Sequence, residues 1–168
     1  MGVYDIRVVE DGNLRCSKCN VLKSEFDFHK STCRKNTAGR TYHCKDCVSI
    51  KQGEYRLTEV GFKVQLWNNL KGNARRRGLE VLIGKEQIDI MYANQGGLCA
   101  VTGLQMQYTS GATSKNDYAV SVDRVDSSKG YTHYNVRLVC ARVNILRQEL
   151  TDEQMAFWCN MILKGITK

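Results

Sequence analysis

Apolar positions are scarce at the start of the chain. Residues 14–47 are filled by Lys, Ser, Thr and Asn, interrupted by Phe26 and Phe28. A segment this polar buries too little to hold itself together unaided. The pattern changes over 48–77, where Val60, Val64, Trp67 and Leu70 recur at helical spacing with Phe62 and Leu66 beside them. Gly53, Gly61 and Gly72 are the expected places for a division into two helices. The run Arg75-Arg76-Arg77 closes the stretch, and Gly78 reads as its C-cap. Leu79 to Ile83 reads as a short strand. Lys85 to Ala93 reads as a helix with Ile88, Met91 and Tyr92 on one face, ended by Gly96-Gly97. Residues 98–115 read as a hairpin or irregular loop with Cys99 in the turn. Tyr118 to Asp123 and Val136 to Val139 read as strands flanking the turn Ser127-Ser128-Lys129-Gly130, and Ala141 to Gln148 as a helix. In the last helix Thr151 and Gln154 form a capping box, and Leu150 can staple onto Met155. Met155, Trp158, Cys159 and Ile162 then share one face, a lid on the core or a dimer surface, and Gly165 ends the helix.

Charge adds a partner class to this picture. The 168 residues suit one domain or two very small ones. Lys and Arg number 25 against 17 Asp and Glu, a net charge of +8. Such a surplus favours a polyanion, nucleic acid above all. No run of about 18 apolar residues exists to span a membrane, and no apolar segment opens the chain as a signal peptide would. The expected location is the cytoplasm of a bacterial or phage-infected cell.

The cysteines supply what the polar start lacks. Cys16/Cys19 and Cys44/Cys47 form two Cys-x-x-Cys pairs with 24 residues between them. Two such knuckles offer four soft, charged thiolates to one tetrahedral zinc. Arg15, Lys18, Arg40, Lys45 and Lys51 offset the charge of that centre. Two other readings stay open: buried unligated thiols, or His29, His43 or Cys33 standing in for one knuckle cysteine. Four protein ligands leave no open position, so this zinc is structural and the chemistry lies elsewhere.

The stretch Tyr118-Ala-Val-Ser-Val-Asp-Arg-Val-Asp-Ser-Ser-Lys-Gly-Tyr-Thr-His-Tyr-Asn-Val-Arg-Leu-Val-Cys-Ala-Arg-Val-Asn144 resembles the core of the HNH, or ββα-metal (His-Me finger), endonucleases. The likeness is to the branch found in phage proteins and in the restriction enzyme PacI. Gly97-Leu-Cys-Ala-Val-Thr-Gly103 resembles that family's lead-in. The likeness covers roughly residues 75–150, and the knuckles extend a looser one. The resemblance implies that Asp123 and Asn144 bind a divalent ion and that Asn135 braces the loop between the strands. A carboxylate and an amide oxygen are hard ligands suited to magnesium or manganese. Most of the family carries His directly after the metal Asp as the general base. Here Arg124 stands there, a poor base near neutral pH, and is read instead as a clamp on the scissile phosphate. His43 ranks first as replacement base, before Tyr92, His29 and His133. Asp126 either orients Arg124 by a salt bridge or opens the Ser-Ser-Lys-Gly turn by an Asx bond, the second being preferred. The branch usually carries a second zinc site of Cys-x-x-Cys pairs. Here Thr102 and Val143 replace two of those cysteines, so Cys99 and Cys140 are read as a buried thiol pair.

The expected fold is α+β: a small ββα-metal nuclease core with an N-terminal four-cysteine zinc unit and flanking helices. Residues 1–57 are the zinc-binding region, 58–97 a basic helical linker, and 98–168 the nuclease domain with its C-terminal helix. Arg75, Arg76, Arg77, Lys71, Arg137, Arg142 and Arg147 are candidate phosphate contacts, which give affinity but little sequence choice. The expected activity is metal-dependent hydrolysis of double-stranded DNA, with one structural zinc and a catalytic magnesium or manganese. The enzyme would act as a homodimer with one site per strand, or as a monomeric nickase. Two other functions compete: a non-catalytic zinc-ribbon protein that binds nucleic acid, and an RNA-cutting relative.

Overall fold

In a computed structural model the chain divides into two compact units, residues 1–55 and 56–168. The described residues are 8–9, 12–32, 39–109 and 116–167. Cys33 and the far end of the predicted 98–115 loop lie outside them.

The first unit is two small antiparallel sheets. Strands β1 (Val8–Val9), β2 (Asn13–Arg15) and β3 (Leu22–Ser24) pair in that order. Strands β4 (Phe28–Lys30) and β5 (Arg40–Cys44) form the second sheet, with Phe28 opposite Cys44. Helix α1 (Lys45–Leu57) follows. Among the described residues the buried centre is Leu14, Phe28, Cys16 and Cys44, with Cys47 packed against them. So small a core has little hydrophobic stabilisation, as the polar sequence predicts.

The second unit begins with helix α2 (Glu59–Arg77). The division from α1 falls at Thr58, not at a glycine. The Thr58 hydroxyl accepts a bond from Gly61 N at 3.1 Å and starts a new helix. Gly53 and Gly72 lie inside helices, and Gly61 is buried. The predicted end does fall at Gly78, at φ 65°, its N–H turned back on Ala74 and Arg75. Helix α3 (Lys85–Asn94) follows. Leu79 to Ile83 forms no strand beyond a single bridge from Val81 to Tyr131. Tyr131 N donates to Glu80 O at 2.9 Å. This approach requires Gly130, because a Cβ there would sit 2.7 Å from the Glu80 carbonyl oxygen.

Strands β6 (Val120–Arg124) and β7 (Val136–Cys140) are antiparallel and fully paired, and helix α4 (Ala141–Arg147) packs back on both. Their inner face joins Ile88, Cys99, Met106, Leu138, Val139 and Val143 in one core. A second cluster of Leu70, Ala74, Ile83, Tyr131 and Val136 fixes α2 beside the sheet. The result is an α+β unit whose centre is a β-hairpin closed by a helix.

Helix α5 (Asp152–Ile166) starts with the predicted capping box. It is not a lid. Met155 packs on the core, but Phe157, Trp158, Met161, Ile162, Leu163 and Ile166 are exposed, Ile166 at 76%. Among the described residues, Met155 in its first turn is the α5 side chain that packs on the buried core. No helix among the described residues is long and apolar enough to cross a membrane.

Candidate metal centres

The knuckle cysteines converge. The sulfurs of Cys16, Cys19, Cys44 and Cys47 all lie within 4.8 Å of one another. Cys16 and Cys47 are 3.8 Å apart, Cys19 and Cys44 4.0 Å. A zinc bonded at ~2.3 Å to four sulfurs has tetrahedral edges of about 3.8 Å, so the cluster fits the ion. The turns that bring the sulfurs in are explicit. Asn20, at φ 58°, closes the first knuckle, and Cys16 N bonds Val21 O at 3.0 Å. Burial pushes the Cys16 thiol up, but the N–H groups of Cys19, Cys44 and Lys18 outweigh it and hold the thiol at about 6. A group already tuned toward thiolate is a prepared ligand. His29 is exposed on β4 and His43 half-buried on β5; neither belongs to the cluster of four. Arg40, expected to offset the charge of this centre, bonds Glu25 through Nε and NH2.

The second unit holds a cleft of about 490 Å³ beside the hairpin. Asp123 and Arg124 line it from the end of β6, Asn144 and Gln148 from α4 and its exit, Asn69, Asn73 and Arg77 from α2, and Glu149 from the turn after α4. Asn144 donates its amide N–H to Ser121 Oγ at 2.7 Å and to Val122 O at 3.2 Å. That leaves its Oδ1 without a donor among the described residues. Asn135 is the loop brace. Its Oδ1 accepts from Asp126 N at 2.8 Å, and its Nδ2 donates to Asp126 O and Gly130 O at 3.0 and 2.9 Å. Arg124 adds a second brace, donating from NH1 to Ser127 O at 2.5 Å and Lys129 O at 2.8 Å, with Tyr131 against its guanidinium. Asp126 forms the Asx turn, accepting from Ser128 N and Oγ. Those bonds and Lys129 hold its carboxyl well below the ordinary range.

Asp123 is the most constrained group of the cleft. It is 3% exposed. Its Oδ1 accepts from Arg147 NH1 and its Oδ2 from Arg137 Nε, both at 2.9 Å. The same two arginines also hold Asp152, the first residue of α5, at 2.6–3.1 Å. Two carboxylates and two guanidiniums thus form a closed quartet. Arg147, 1% exposed, further donates to the carbonyls of Arg124 and Val125. Between Arg147 and Asp152 the chain makes a tight turn, Leu150 N to Arg147 O at 2.9 Å, with Gln148 at φ 47° and ψ −105°. That conformation is costly for a side chain with a Cβ. It carries Gln148 and Glu149 into the cleft.

Two of the expected phosphate contacts are therefore elsewhere. Arg147 is buried and Arg137 largely so, each committed to Asp123 and Asp152. Asp123 lies 14 residues before Arg137 and 24 before Arg147, separations no local pattern reveals. Arg142 is exposed but paired with Asp117. Lys71 stands over the Trp67 ring. Arg75, Arg76 and Arg77 are exposed at the end of α2, and Arg77 lines the cleft with no hydrogen-bond or ion partner among the described residues. His133 is exposed, and Tyr92 donates to Met106 O. Asn69, Asn73 and Glu149 escape a reading of the sequence. The i, i+4, i+8 spacing of Asn69, Asn73 and Arg77 is the one signal that could have found the α2 wall. Cys99 and Cys140 are both buried, with Cys140 N donating to Cys99 Sγ at 3.3 Å and Val143 in the same core. Burial and the neighbouring Cys99 push Cys140 up to about 11.

No family model matches this chain, and no curated protein does. It is similar to the solved structure of the rare-cutting HNH restriction endonuclease PacI, with 19% identity, 90% of this chain and 94% of that chain covered, and a TM-score of 0.44.

Proposed function

We propose that the cleft at Asp123 is the active site of a metal-dependent endonuclease of the HNH type, hydrolysing phosphodiester bonds in double-stranded DNA. One observation carries the reading. The strand-end carboxylate of Asp123 and the amide oxygen of Asn144 share a cleft beside a hairpin whose loop is braced by Asn135. The basic end of α2 forms the opposite wall.

Asp123 and Asn144 are the residues that would hold magnesium or manganese. Their donors are hard oxygens of the right type, and two ligands leave positions for water and phosphate. When bound, such an ion polarises the phosphate and offsets charge on the leaving oxygen. Arg77 and the unused nitrogens of Arg124 contact phosphate oxygens. Asn135 and Arg124 keep the loop rigid, so β6 presents Asp123 in one position. Glu149, which lines the cleft, is the candidate acceptor for the proton of the attacking water. Single-turnover rates of Glu149→Gln test that role, and those of His43→Ala test the base that the sequence suggested. Cutting both strands needs two sites, and the exposed apolar face of α5 suits a second copy of the chain.

A second reading has its own support. Both oxygens of Asp123 are bonded to arginines, as in a purely structural ion pair, and this favours a zinc-ribbon protein that binds nucleic acid without cutting it. Nicking of supercoiled plasmid decides. The nuclease reading expects cleavage with magnesium or manganese, none in EDTA, and none from Asp123→Ala. Binding without cleavage would leave the second reading. Cleavage of duplex RNA but not DNA would change the substrate and keep the site.

A further inference from the structure

We propose that this cleft is a phosphate site before it is a metal site. The nucleic acid binds first, and its phosphate supplies the charge that the divalent ion then needs. The inference rests on the nuclease reading and deepens it by fixing the order of assembly.

The argument is one of charge. A site that captures a hard dication by itself gathers several free carboxylates. Here the charged groups lining the cleft are Asp123, Glu149, Arg77 and Arg124. Asp123 is paired with Arg137 on one oxygen and Arg147 on the other, and the same two arginines, one charge each, also pair with Asp152. Four arginines thus face three carboxylates. The remaining protein ligand, Asn144, is uncharged. A dication entering the empty cleft meets a surplus of positive charge at short range, in a partly buried place where screening is weak.

A phosphodiester meets the reverse. Arg77 has no partner among the described residues, and Arg124 has committed only NH1. Asn73 stands between Arg77 and Asn69 on the same helix face and offers amide donors to a phosphate or sugar. Charge-assisted bonds from guanidinium to phosphate are strong and need no metal. Once seated, the phosphate cancels that surplus and adds anionic oxygens beside Asp123 and Asn144. The quartet then has a function. It holds Asp123 in a fixed rotamer, yet keeps a lone ion from settling on it.

The test titrates Mn²⁺ into the zinc-loaded full chain, reading free Mn²⁺ by its EPR signal, with and without a short DNA duplex. Ions bound by duplex alone, and by duplex with Asp123→Ala, are subtracted. The expected result is one extra Mn²⁺ site with duplex, tighter by roughly tenfold or more than any site without it. Arg77→Ala should weaken duplex binding measured in EDTA. Arg137→Gln removes one of the two cations on Asp123 and should raise Mn²⁺ affinity in the absence of duplex. Equal Mn²⁺ affinity with and without duplex overturns the proposal, and so does tight Mn²⁺ binding by the wild type alone. Plasmid nicking by the same preparation separates the two claims. Nicking with duplex-independent Mn²⁺ uptake sinks the order and keeps the nuclease. Duplex-dependent uptake without nicking sinks the nuclease and keeps the order.

Discussion

The two candidate metal centres are built on opposite principles. In the first unit four sulfurs stand at tetrahedral spacing around a place for one ion, and little else fills the core. In the second unit one carboxylate is already saturated by arginines, and the side chains around it are packed into two apolar clusters. On the reading proposed above, the first needs its metal to be folded, whereas the second is folded by packing and ion pairs and takes its metal together with a substrate. A structural ion belongs where hydrophobic burial is insufficient, whereas a catalytic one needs a scaffold that stands without it.

The largest expected effect breaks the first half of that contrast. Cys44→Ser, or a strong chelator, should remove zinc and unfold the first unit, because binding worth about 10–16 kcal/mol is folding free energy in such modules. Elemental analysis should find one zinc per chain in the wild type. Both tryptophans, Trp67 and Trp158, lie in the second unit. Their fluorescence should therefore change little when zinc is lost. A tryptophan transition coincident with zinc loss would show that the units are not independent.

Next comes the quartet. Arg147→Ala leaves the Asp123 carboxylate buried with half its partners, and breaking a buried pair costs about 3–5 kcal/mol. Urea unfolding followed by tryptophan fluorescence should register this, with zinc content unchanged. A loss below about 1 kcal/mol would mean that the pair is not buried in solution.

These arginines also mark where sequence reading stops. The knuckles were legible because metal-ligand spacing is local. So were the capping box at Thr151, the terminus at Gly78 and the two hairpin strands, each set by residues a few positions apart, whereas the Asn135 brace came from the family resemblance. Arg137 and Arg147 look like any surface cation until the fold brings Asp123 and Asp152 to them. The break at Thr58 was hidden because three glycines drew attention, yet a hydroxyl cap was decisive. For α5 the sequence left a lid and a dimer surface open, because amphipathic spacing reports a face without reporting what covers it; the exposed face rules against the lid and leaves the other.

Acid sharpens the contrast at smaller amplitude. Arg137 hydrogen-bonded to Asp152, aided by Arg147, depresses the Asp152 carboxyl to about 2. An aspartate in an unfolded chain titrates near 3.9. The folded state thus holds the deprotonated form more tightly, so this contribution is present above about pH 4 and fades as pH falls toward 2. Asp152→Asn should flatten the pH dependence of second-unit stability across that window. An unchanged slope would remove Asp152 from the account. Smallest is the α5 cap. Thr151→Ala should cost about 1 kcal/mol, read as a small shift in the same tryptophan transition, and none in zinc content.

The central claim is that the two metals do separate work, and sequential metal exchange with plasmid nicking tests it most directly. Zinc-loaded protein is dialysed against metal-free buffer without a chelator, which removes weakly held magnesium but not the thiolate-bound ion. Nicking should stop, zinc should remain at one per chain, and magnesium alone should restore cleavage in the wild type but not in Asp123→Ala. Cleavage that persists after this dialysis, or that returns only with added zinc, would contradict the account.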